Sequence, residues 1–212
     1  MENNRFLIVI AVIIVGFFSL IIFTKTTAPK EPESKGSSNV YGKLDSPVTL
    51  TEYVDFQCEA CYAFYPTVKE IKEQYKDKVK FEIKYFPISN SHQYARMAAG
   101  YAESAARQGK FFEMHDKIFE GQKTWETSQN PNEYFDTYAK EIGLNMDKLK
   151  TDLSSPSVSA TINADLAEVK RLGGEGTPTF ALNGEKIENP ENTVDAFTLI
   201  LDKALKDAEQ GE

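Results

Sequence analysis

Val48 to Phe56 reads VTLTEYVDF and runs through Gln57 into the tetrad Cys58-Glu59-Ala60-Cys61. The first nine residues alternate and are rich in β-branched and aromatic side chains, which predicts a strand. Beyond the tetrad, Phe64, Val68, Ile71 and Tyr75 recur at helical spacing, which predicts a helix to about Lys76 with a kink at Pro66. The two cysteines therefore stand where a strand hands over to a helix. A helix N-terminus offers unpaired N–H groups and the positive end of a dipole, and both favour a thiolate. Three residues apart on the first turn, the two sulfurs are close enough to bridge. Cys58, at the helix tip, is the expected attacker of a foreign disulfide; Cys61, one turn deeper, is the expected resolver.

Outward from this point, Val79 to Ile88 (VKFEIKYFPI) alternates again and predicts a second strand. Helical patterns follow over 93–108 and 110–120. Another is expected from Pro131 to about Gly143, opened by Asn130 as N-cap and Glu133 as capping-box acid. The last starts at Ser155-Pro156 and ends at Gly173-Gly174. Thr179 to Asn183 predicts a short strand, Asn183-Gly184 a hairpin turn, and Glu185 to Glu188 its partner. Asn189-Pro190-Glu191 is expected to cap a final helix. This order describes a small α/β domain with a helical insertion at about 89–174.

The chain has 212 residues, a net charge of −8 and two cysteines. The acidic balance argues against a nucleic-acid partner. Phe6 to Phe23 is an 18-residue run in which only Gly16 and Ser19 are not strongly apolar. As a helix it spans roughly 27 Å, close to the hydrocarbon core of a bilayer. Residues 1–23 are therefore expected to be an N-terminal transmembrane anchor. A cleaved signal peptide is the rival reading, which Pro29 after Thr26-Thr27-Ala28 disfavours. Residues 24–39, rich in Pro, Ser, Lys and Glu, are expected to be a flexible linker, and residues 40–212 the folded domain. A single-pass protein of the cell membrane with this domain on the extracytoplasmic side would hold its cysteines where disulfides persist.

Other readings of the cysteines are weaker. A disulfide closing so short a loop constrains little chain entropy. Zinc would need two more ligands, and His92 and His115 match no usual spacing, so no metal and no cofactor are expected. Glu52 shares a strand face with Val48, Leu50 and Val54. An acid there should have a raised pKa and could exchange protons with Cys61, unless the strand is an edge and the carboxylate reaches water. His115 and Trp125 read as packing residues, and His92 as a neighbour of the active-site surface or a bystander.

The stretch from Ser46 to Cys61 resembles the DsbA-like branch of the thioredoxin superfamily, nearest to its membrane-anchored BdbD-type members. The likeness continues through Phe86-Pro87-Ile88, Gln108 to Asp116, Gly143-Leu144 and Gly176-Thr177-Pro178-Thr179-Phe180, and covers roughly residues 40 to 205. It implies a thioredoxin fold with an inserted helical domain, and thiol–disulfide oxidoreductase activity carried by Cys58 and Cys61. It further implies a buried acid at Glu52 and a cis-proline at Thr177-Pro178, whose backbone would hold an extended substrate. For Asp55, part of the family's Asp-Phe pattern, a structural hydrogen bond is expected. Exported proteins with cysteines would be the substrates, and a DsbB- or VKOR-type membrane quinone reductase the reoxidant. Many oxidising members carry Pro-His between the cysteines, whereas this chain has Glu59 and Ala60, which puts a carboxylate beside the thiolate. A reductase or isomerase of the same fold, or a non-catalytic peptide-binding holdase, are the competing expectations.

Overall fold

The computed structural model describes residues 34–211, together with Ile13, Ile14 and Phe17. Those three are helical and exposed. The rest of the expected anchor, and the linker up to residue 33, lie outside the described residues. Among the described residues no helix is long and apolar enough to cross a membrane.

Five strands form one sheet in the order β1-β3-β2-β4-β5: β1 (Asn39–Gly42), β2 (Thr49–Val54), β3 (Lys80–Tyr85), β4 (Thr179–Leu182) and β5 (Glu185–Lys186). β2 pairs parallel with β3 through the crossover helix α1 (Glu59–Tyr75) and antiparallel with β4. β2 is thus central and buried on both faces. Leu50 joins Val68, Ile71, Phe81, Phe180 and Phe197 on one side. Tyr53 packs with Phe86, Val169 and Ala181 on the other. α1 runs through Pro66 as one helix.

Between β3 and β4 lie α2 (Ala95–Ala106), α3 (Phe111–Glu120), α4 (Gln122–Trp125), α5 (Pro131–Glu141), α6 (Met146–Leu153) and α7 (Pro156–Arg171). Their shared core, with Trp125, Phe135, Met114 and Ile118 fully buried, is continuous with Val54, Phe56 and Cys61 at the end of β2 and start of α1. The insert therefore rests on the cysteine-bearing end of the sheet. The chain closes with α8 (Val194–Gln210), which packs on α1.

Several local expectations change. Residues 34–39, assigned by composition to the linker, are bonded to the folded unit: Ser37 donates N–H and hydroxyl to Asp165 at 2.9 and 2.6 Å. Asn39 then opens an edge strand on β3. The capping box at Asn130 does not form, because the Asn130 side chain makes no cap bond and its N–H is taken by the Ser128 hydroxyl. The final helix starts after Thr193, whose side chain accepts from Ala196 N–H. Asn189 is occupied elsewhere, its amide donating to the Pro178 carbonyl at 2.7 Å. The Asn183-Gly184 turn has positive φ at both residues, +51° and +84°, as the hairpin requires.

Candidate active site

Cys58 is the N-cap residue of α1, with extended backbone and no side-chain cap bond. Its sulfur thus faces the open end of the helix. Its N–H donates to the Asp55 carbonyl at 3.1 Å and its carbonyl accepts from Tyr62 at 3.0 Å, which fixes the turn. The half-buried Cys58 thiol donates to the Thr177 carbonyl at 3.3 Å. Its pKa is pushed down to about 5. The largest cause is a hydrogen bond from the Cys61 side chain. Burial opposes it, and the Thr177 side chain and the N–H groups of Cys61 and Ala60 add to it. Cys61, fully buried, is pushed the other way, first by burial and then by Cys58 and the charge of Glu52. The two thiols are thus chemically unlike, in the sense that helix position implies.

Thr177-Pro178 is cis and lies against Cys58. The loop is pinned by Asn189 on the Pro178 carbonyl and by the Thr179 hydroxyl on the Gly176 carbonyl at 2.6 Å.

Glu52 is 4% exposed and sits between Ile83 and Phe180 on the neighbouring strands, so the edge-strand alternative does not apply. Burial pushes its carboxyl up to about 7, against the pull of Lys72. Lys72 is one residue that sequence reasoning missed. It is buried on α1, its ammonium 4.4 Å from the centroid of the Phe112 ring, and burial lowers its pKa. The available signal was its place four residues after Val68, on the same buried stripe as Cys61, Tyr65 and Tyr75.

Glu59 and Ala60 are exposed. Glu59 is paired with Lys123 of α4 at 2.9 Å, which holds its carboxyl below the ordinary value. Gln122 beside it, fully buried, donates to the carbonyls of Phe56 and Cys58 at 2.8 and 3.1 Å. Neither partner was legible in the sequence, since both contacts span more than sixty residues.

Asp55 has a structural role. Its carboxylate accepts from the N–H groups of Gln57 and Ile88 at 2.8 and 2.7 Å and meets His92 Nδ1 at 2.8 Å. It ties the cysteine turn to the segment after β3 and brings His92 there with it. His115 is a core histidine, pushed down to about 4 by burial among Phe56, Phe111 and Phe119. Trp125 is fully buried, with its ring N–H on the Ile118 carbonyl. Among the described residues no group of three or more potential metal ligands gathers.

Solved structures share this fold. BdbD from Bacillus subtilis matches with a TM-score of 0.69 at 24% identity, over 84% of this chain and 100% of that one. Alpha-DsbA1 from Wolbachia pipientis matches with a TM-score of 0.70 at 19% identity, over 88% and 98%. A thioredoxin-like oxidoreductase from Silicibacter pomeroyi gives 0.65 at 24%, over 81% and 91%. Among curated sequences, the Na(+)/H(+) antiporter NhaA 3 of Salinispora tropica is 33% identical over 161 residues, 76% of this chain but 24% of the antiporter. The chain spans about a quarter of the length of the curated relatives it matches. A thioredoxin family model matches residues 34–203, which take in the whole sheet, both cysteines and the Thr177-Pro178 loop. The chain belongs to the thioredoxin family, and a helical insert lies between its third and fourth strands.

Proposed function

We propose that the chain is a membrane-anchored, extracytoplasmic thiol–disulfide oxidoreductase, working as an oxidase that introduces disulfides into exported proteins. The observation that carries this reading is the inequality of the two thiols: Cys58 pushed down to about 5 beside the Thr177 carbonyl, Cys61 buried and pushed up. In the oxidised enzyme, a client thiolate attacks the Cys58 sulfur. The Cys58–Cys61 bond breaks, its electron pair leaves on Cys61, and a client–Cys58 disulfide forms. Cys61 takes up a proton, and Glu52, poised near neutrality, is the nearby group suited to deliver it. A second client thiolate then attacks the client sulfur, and Cys58 departs as a stable thiolate. The client loses two electrons and the enzyme gains them. A quinone reductase of the DsbB or VKOR type is the proposed acceptor. The Thr177-Pro178 loop holds the client backbone in extended form during both steps.

The thiolate supports this direction. A lower pKa stabilises the reduced enzyme and makes its disulfide more oxidising. The value near 5 for Cys58 falls between about 3.5 for DsbA and about 7 for thioredoxin. The reduction potential is expected to fall likewise between about −120 and −270 mV. Equilibration of the purified domain with glutathione or dithiothreitol measures it. A potential at or below that of thioredoxin would overturn the oxidase reading and favour the reductase one. Replacing Glu59-Ala60 by Pro-His should move the potential upward.

The anchor has its own test. The full chain is expected to stay in the membrane fraction through a high-salt wash and to keep its apolar run over 6–23. Release as a soluble protein with a mature N-terminus near Pro29 would sink that part of the proposal and leave the redox chemistry untouched.

A further inference from the structure

α4 is only four residues long, yet it is held from every side. A Cβ at Gly121, where α4 begins, would run into the Tyr138 hydroxyl, so α3 and α4 are joined without room for a side chain. Trp125 closes the other end in the core of the insert. Between them, the Gln122 amide donates to the carbonyls of Phe56 and Cys58, which locks this short helix onto the cysteine turn. Lys123 therefore projects from a fixed foothold. Its ammonium lies 2.9 Å from Glu59, 3.3 Å from Glu126 and 5.4 Å from the centroid of the Tyr62 ring.

We propose that Lys123, presented by the helical insert, sets the redox strength of the Cys58–Cys61 pair by cancelling the charge of Glu59. The proposal rests on the reading of that pair as redox-active and names the residue that tunes it. Glu59 follows Cys58 directly and occupies the first turn of α1. Its carboxylate suits the helix dipole but repels a thiolate next door. Only the reduced enzyme carries that thiolate, so an uncompensated Glu59 destabilises the reduced form and leaves the disulfide form unchanged. Lys123 removes this penalty. Glu126 shares the ammonium on the side of its own helix. The insert thus acts on the sulfur as a source of one placed charge. Lys123 acts through Glu59 and is a positioning residue for the field at Cys58.

The test is a double-mutant cycle on the equilibrium with glutathione, using the purified protein with Lys123→Met, Glu59→Gln and both together. The pair is exposed, so the effect should be modest. Lys123→Met is expected to shift the equilibrium about threefold toward the disulfide, in line with an exposed ion pair. For a two-electron couple this is about 14 mV to the negative side. The thiolate absorbance of Cys58 should titrate at higher pH in that variant. In the Glu59→Gln background the same substitution should move the equilibrium by less than half as much. An equal shift in both backgrounds, or none in the wild-type background, overturns the role given to Lys123 while the redox reading stands. If wild-type protein forms no Cys58–Cys61 disulfide in any glutathione buffer, the redox reading falls and the tuning role with it.

Discussion

Iodoacetamide should modify Cys58 in the reduced protein faster than Cys61 by more than about tenfold at pH 7. With a pKa near 5, Cys58 is about 99% thiolate at that pH, whereas burial raises Cys61 above the ordinary thiol range and keeps it a thiol. Population alone thus strongly favours Cys58, but a low-pKa thiolate is intrinsically less nucleophilic, which returns part of that advantage. Access decides the remainder: Cys58 is half-buried and Cys61 is fully buried. The rate at Cys58 should fall with a midpoint near pH 5, whereas Cys61 should stay slow until well above neutrality. In the catalytic counterpart, Cys58→Ser is expected to abolish disulfide transfer to a reduced client, and Cys61→Ala to accumulate client–Cys58 mixed disulfides that nothing resolves. Trapping by Cys58→Ala instead would reverse the two roles.

Glu52→Gln should make the protein more stable above neutral pH and slower as a catalyst. The carboxyl is raised from its ordinary value of 4.5 to about 7 in the fold, so its charged form is disfavoured there. Its contribution to stability is complete below about pH 4.5 and is lost as pH rises through 7. The glutamine variant lacks that loss. At pH 8 it should gain up to about 3 kcal/mol, reading each pKa unit as about 1.4 kcal/mol. The gain is an upper bound because buried Lys72 loses an attractive neighbour at the same time. For a chain of this size it corresponds to a Tm rise of up to roughly 6–12 °C, measured on the oxidised form so that thiols do not contribute. At pH 4 variant and parent should melt together. Client oxidation should slow by at least about a hundredfold if Glu52 delivers the proton to Cys61. No stability gain at pH 8 would mean that the carboxylate ionises in place without penalty.

The parts of this site that were legible are those encoded locally. The alternation of β2, the cysteine spacing and the periodicity of α1 all lie within thirty residues, and the structure places the cysteines at the junction they define. The Asn183-Gly184 hairpin and the Pro131 and Pro156 helix starts were local signals too. The acid at Glu52 was legible as a face assignment, but its counter-charge was not. Lys72 carries a residue type that reads as solvent-facing, and only its burial between β1, α1 and α3 reverses that reading. Gln122 and Lys123 show no pattern in the sequence, because their partners lie across the interface between the insert and the sheet. β1 was hidden for a related reason. Four residues after a polar tract have no periodicity to read, and Asn39 is buried only because Ile83 and Tyr85 accept its amide. The capping box at Asn130 shows the opposite error, a correct local motif displaced by the nearer Ser128 hydroxyl.

The borders of the sheet bear on how a client of the proposed oxidoreductase would be met. An unpaired strand border invites other chains to add to it, and proteins that handle unfolded clients are exposed to that hazard. Here one border is β1, four residues long and fastened at its start by the Ser37–Asp165 bonds, and the other is β5, two exposed residues closing a tight hairpin. Both are too short to template an intruding strand, so indiscriminate β-addition along the flanks is disfavoured. The backbone that lies beside Cys58 is that of the Thr177-Pro178 loop, which is no part of either border. On the proposed function, a client chain that docks there would arrive within reach of Cys58, and the short borders would offer it no competing place to pair.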